Sequence, residues 1–173
     1  MSEDKEAFLE RWSRLKTEKP EKTLAVIMQR RAMRNRWESV TWEPWSVLES
    51  DEPAGEPRLL VDQSDVQQWF HPGFPLEIHR DEIEGYYMNV SSGSPRVFVL
   101  WRMEGDRALP LQVTVSYDEG GRWMDGGNSV DSVAMPAQVF AWIGGYVEKN
   151  YRPEPKKRVK PRSFIHPKDR VGR

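Results

Sequence analysis

Four arginines fall within one seven-residue span, at Arg30, Arg31, Arg34 and Arg36, and three tryptophans follow at Trp37, Trp42 and Trp45. A planar guanidinium carries a fork of donors that fits carboxylate or phosphate in a bidentate way, and indole rings beside it add apolar contact area. The chemistry on offer is therefore recognition of an anionic group. No catalytic set accompanies it. There is no Gly-x-Ser-x-Gly elbow, and Ser91, Ser92 and Ser94 sit in what reads as a turn. The carboxylates around Asp81, Glu82 and Glu84 are plentiful without a spacing that pairs them. Neither form of the glycine-rich phosphate loop occurs. Of the three histidines, His71 and His166 directly precede prolines, and none has an i, i+4 partner on a helix, so structural or surface roles are expected. No metal or cofactor is expected, and a non-enzymatic protein is the reading.

The elements that must hold the arginines are legible on either side of them. An apolar run, Leu24 to Met28, leads in, and the tryptophan-rich run to Leu48 comes straight back. Two antiparallel strands joined by a short basic loop would set the guanidinium groups at one end of a hydrophobic ribbon. Pro44 removes a ladder donor, so it predicts an edge position or a bulge. Trp37, Trp101 and Trp142, read as belonging to the apolar strand and helix runs, are expected in the core, whereas Trp12 and Trp45 are left open.

Before the ribbon, residues 2 to 18 predict a short amphipathic helix. Phe8, Trp12 and Leu15 fall at i, i+4 and i+7, with Leu9 widening the stripe. A helix this short is marginal alone and must dock on its own domain or on a partner. After the ribbon, Arg58 to Val61 and Val66 to Phe70 read as short strands, and His71 to Pro75 as turns. Leu76 to His79 and Glu82 to Val90 read as extended, Val97 to Trp101 as a central strand, and Leu111 to Val115 as a half-buried one. Ser116-x-x-Glu119 is a capping box for a short helix ended by Gly126-Gly127. Pro136 opens a longer helix ending near Tyr151, with the stripe Val139, Phe140, Ile143, Tyr146 and Val147. The expected class is α+β, mainly an antiparallel β meander or partly closed barrel with these helices. The expected parts are a helix and linker over 1–22, one domain over 23–151, and a basic, Pro-rich, disordered tail over 152–173.

With 173 residues the chain can bury a real core. It has no cysteine, which removes disulfides, thiolate metal sites and cysteine nucleophiles. No apolar run approaches the ~20 residues of a membrane span, and the acidic N-terminus does not read as a signal peptide, so a cytoplasmic protein is expected. The net charge of −1 conceals an asymmetry. From Tyr151 to Arg173 nine Lys or Arg stand against two acids, giving +7 and leaving −8 for the other 150 residues. The arginine loop and this tail together could form a nucleic-acid footprint, or the arginines could simply be solvated and paired to nearby acids.

Met28, Arg30, Arg31, Asn35, Arg36, Trp37, Trp42, Glu43 and Pro44 form the pattern M-x-R-R…N-R-W…W-E-P. With Pro75 to Asn89, Ser94 to Arg102 and Val133 to Glu148 in that order, the chain resembles the domain of unknown function family 3305 over most of 23 to 155. It departs at Gly120-Gly121, where an alanine-rich helix is usual. Phe8 to Lys16 is similar to the opening segment of the companion family 3306. Both families are typically encoded beside formate dehydrogenases, so the resemblance implies a cytoplasmic accessory role around a molybdenum- or tungsten-dependent formate dehydrogenase. It supplies no catalytic residues. The partner-binding candidates are thus Phe8, Leu9 and Trp12 on the helix, and Arg30, Arg31, Arg34, Arg36, Trp42 and Trp45 on the ribbon, facing formate dehydrogenase subunits or maturation factors. Nucleic acid is the alternative partner, and an enzyme with an unrecognised site is a third reading.

Overall fold

The computed structural model describes residues 21–37 and 39–155. The expected N-terminal helix, with Phe8, Leu9 and Trp12, and most of the basic tail lie outside the described residues. Within them the chain runs β1 (Glu21–Ala32), β2 (Val40–Glu49), β3 (Arg58–Asp62), β4 (Val66–Glu77), a 3-10 turn (Arg80–Glu82), α1 (Ile83–Val90), β5 (Arg96–Glu104), β6 (Arg107–Thr114), α2 (Tyr117–Asp125), β7 (Ser129–Ala134) and α3 (Ala137–Asn150). No helix among the described residues is long and apolar enough to cross a membrane.

The class is α+β, as expected, but the strands form two open antiparallel sheets and not a closing barrel. Their orders are β2-β1-β4-β3 and β6-β5-β7. Strand β4 returns to the free edge of β1, which places the most apolar strand in the interior of its sheet. The chain then leaves through α1, so β5 starts a second sheet instead of extending the first. One core joins both sheets and the helices. It takes Leu24, Val26 and Met28 from β1, Val97 and Val99 from β5, Tyr86 from α1, and Val139, Ile143 and Val147 from α3. The opposite face of β1 buries Ala25 and Ile27 with Phe70. There the Arg58 guanidinium lies 4.4 Å from the Phe70 ring centre while forking onto Glu52 at 2.6 and 3.0 Å.

Pro44 behaves as its chemistry requires. Strand β2 is an edge, and the register shifts so that Met28 faces Pro44 while Ile27 faces Ser46, leaving Trp45 bulged. The segment His71 to Pro75, read from sequence as turns, is instead continuous with β4. Two features let a strand carry those prolines. Strand β3 pairs β4 only as far as Phe70, and the register opposite β1 slips between Leu24 and Val26, so the missing donors fall where the ladder is absent or broken.

The larger correction is Glu82 to Val90, read as extended and found to be helical beyond the 3-10 turn. Ile83, Tyr86 and Val90 do stand at i, i+3 and i+7, but their β-favouring types mask that period. In α2 only the N-cap half of the expected capping box forms: the Ser116 hydroxyl oxygen accepts from the Glu119 amide at 3.2 Å, while the Ser116 amide donates to the Thr114 hydroxyl oxygen at 3.1 Å and the Glu119 carboxylate is taken by the Thr114 hydroxyl. Gly120 weakens helix propensity by about 1 kcal/mol relative to Ala, yet a Cβ there would sit 2.9 Å from the Phe98 ring. Close packing of α2 on β5 explains the glycine at that position.

His71 on β4 is 8% exposed. Burial, with the nearby Arg107 charge, pushes its imidazole down from 6.5 to about 4. Between those values the unfolded chain binds a proton that the folded chain refuses. The stabilisation is complete above pH 6.5 and is lost as pH falls towards 4, by at most about 3 kcal/mol. Urea unfolding at pH 7 and pH 4.5 should show a smaller loss in His71→Gln than in the parent chain; equal losses would show that His71 is not the group responsible.

Candidate docking site

The site is built at one end of β1, by period-two geometry. Leu24, Val26 and Met28 face the core, so Arg30 continues that face outward and Arg31 takes the opposite one. Opposite them, Arg30 pairs with Trp42 and Arg31 with Thr41. Arg30 therefore reaches a cleft of about 320 Å³ that it lines with Val40, Trp42, Met103 and Asp106. The last two come from the tip of the β5–β6 hairpin, where Gly105 takes a positive φ of 64°. On the other face Arg31 stands 3.8 Å from Glu43, whose carboxylate also accepts from the Gln29 amide at 3.4 Å. Both members of that ion pair are about half exposed, so it contributes little to stability.

The connecting loop, residues 33–39, is held by its backbone. The Ala32 amide donates to the Asp65 carbonyl at 2.8 Å, and the Met33 amide to the Ser39 carbonyl at 3.0 Å. The Trp37 amide donates to the Asn35 side chain at 3.2 Å, closing a local turn. These bonds present Arg34 and Arg36 to solvent, and Trp37 is 91% exposed. The expectation of a core Trp37 is thereby overturned: the residue lies in the loop, ahead of β2, where no sheet face can cover it. Trp101 and Trp142 do lie against the core.

The ribbon candidates divide accordingly. Arg30, Arg31, Arg34, Arg36 and Trp42 share one end of the molecule, though on different sides of it. Trp45, half exposed at the bulge, sits three residues along β2, roughly 10 Å away. Sequence reasoning missed Met33, Met103 and Asp106. Met33 lay in plain view between the arginines, but nothing local connects the hairpin tip to β1. Among the described residues no ion pair engages Arg30, Arg34 or Arg36. The arrangement can bind an anionic surface, with guanidinium groups around an indole and a methionine.

Fold and site together define a two-sheet α+β domain with a cationic, aromatic end. No group of three His, Asp or Glu among the described residues is placed to hold a metal ion. The chain belongs to the family described as "Protein of unknown function (DUF3305)", whose model matches residues 23–160. No curated protein and no solved structure matches it.

Proposed function

We propose that this protein is a non-enzymatic accessory or assembly factor that docks its arginine–tryptophan end on an acidic protein surface. The observation that carries the reading is Trp37, 91% exposed between Arg36 and the start of β2. Single exposed apolar residues are common, but Trp and Arg are the types that most often dominate interface energy. Here they share one short loop with Met33, which is 39% exposed. The partner is a subunit or maturation factor of a molybdenum- or tungsten-dependent formate dehydrogenase, by the resemblance of the chain to proteins encoded beside such enzymes. Phe8, Leu9 and Trp12, which lie outside the described residues, are the second anchor. The site of action is the cytoplasm.

Tagged full-length chain should co-purify with formate dehydrogenase subunits. Changing Arg34→Glu, Arg36→Glu and Trp37→Ala together should weaken that association about 100-fold, since two or three anchors of this kind are removed. The variant should melt with the parent, because none of the three side chains joins the core. Undiminished association would overturn the reading. So would tight binding of RNA or DNA by the parent chain, with a salt slope that the triple variant abolishes.

A further inference from the structure

At the far end of β4, ten residues and roughly 30 Å from the arginine end, a second cleft opens between the sheets. It has a volume of about 340 Å³, within the range of small-ligand sites. Its walls come from three elements: Phe74 and Glu77 on β4 with His79 just beyond, Thr114 at the end of β6, and Glu119 and Trp123 on α2. We propose that this cleft binds a compact organic cation, an ammonium or guanidinium group. It lies outside the docking end and stands independently of the function proposed for that end.

The electrostatics select the ligand. Glu77 and Glu119 line the cleft, and no lysine or arginine does. Arg122, on the same helix, forms its ion pair with Glu82, and its charge bears on Glu119 only as a weaker, longer-range contribution. Glu77 has only His79, Nε2 to Oε2 at 3.2 Å. Glu119 is positioned firmly. Its carboxylate accepts from the Thr114 hydroxyl at 2.5 Å, and Thr114 is only 3% exposed. Its amide is capped by Ser116. A carboxylate fixed this way is preorganised and forms no ion pair of its own among the described residues. Phe74 and Trp123 line the cleft with aromatic rings, the groups whose faces attract ammonium and guanidinium. An anion would meet two carboxylates, and a neutral apolar ligand would desolvate them without compensation.

The test is titration of the full-length protein with methylguanidinium and with n-butylammonium, followed by the Trp123 indole and Thr114 amide NMR signals. Saturable shifts are expected, weakened about tenfold by Glu119→Gln, which keeps the acceptor for Thr114 but removes the charge. Glu77→Gln should weaken binding less, because His79 already shares that carboxylate. A blocked Gly-Arg-Gly tripeptide separates the two sources of such a group. Tighter binding of the tripeptide than of methylguanidinium assigns the cleft to a basic side chain of a polypeptide; equal binding assigns it to a free small cation. Shifts that fail to saturate, or that are the same in Glu119→Gln, would overturn the proposal.

Discussion

Replacing Asn89 by alanine is expected to lower the free energy of unfolding by about 4 kcal/mol. Asn89 is fully buried on α1. Its amide nitrogen donates to the Arg96 carbonyl at 2.7 Å and to the Val115 carbonyl at 2.8 Å, and its oxygen accepts from the Arg96 amide at 2.8 Å. One side chain thus ties the end of the helix to the start of β5 and to the residue that follows β6. Alanine removes all three bonds and leaves three backbone groups without those partners, each costing about 1–3 kcal/mol. Chemical denaturation at neutral pH measures the loss. Asn89→Asp separates hydrogen bonding from space filling. It preserves the volume and the acceptor but aims a carboxylate at two carbonyls. Its deficit should grow as pH rises from about 4, where the unfolded carboxyl ionises and the folded one resists. A loss under about 1 kcal/mol for Asn89→Ala would mean that water or a shifted neighbour satisfies those groups.

The second large effect is expected at Gly73, where alanine should cost about 3 kcal/mol. Two causes act together. The residue has a φ of +88°, which L side chains rarely adopt. A Cβ there would also lie 2.1 Å from the Ala54 amide nitrogen and 2.3 Å from its Cα. The obstacle is backbone, so it cannot be relieved by turning a side chain. Gly73 sits beside the slip in the β1–β4 register, and the loop before β3 lies directly on it. Thermal melts of Gly73→Ala, and of Gly73→Ala with Ala54→Gly, check the cause. The second change should restore almost nothing, because the nitrogen and Cα remain. Full recovery in the double variant would show that the methyl of Ala54 was the obstacle.

Sequence reasoning succeeded where short-range chemistry decides. The β1–β2 ribbon, the bulge at Pro44 and the Ser116 cap of α2 each depend on residues a few positions apart, and each is found. The same reasoning failed at α1, because Ile83, Tyr86, Tyr87 and Val90 favour strands in isolation. Burial of Tyr86 and the Asn89 clamp hold that segment as helix. It failed again at His71 to Pro75, where proline is admissible because β3 stops pairing at Phe70 and the β1–β4 register slips. Neither condition is local.

The four arginines and their place at one end of a strand pair were determined by the sequence alone, since alternation along β1 and the return through the tryptophans leave few other arrangements. Only the tertiary structure decided that Trp37 stands in solvent, that the β5–β6 tip brings Met103 and Asp106 beside Arg30, and that Glu77, Glu119 and Trp123 share a cleft. Those groups lie far apart in the chain and belong to different sheets and helices. What brings them together is burial of one shared core, a non-directional force that leaves no spacing for a reader of the sequence to find.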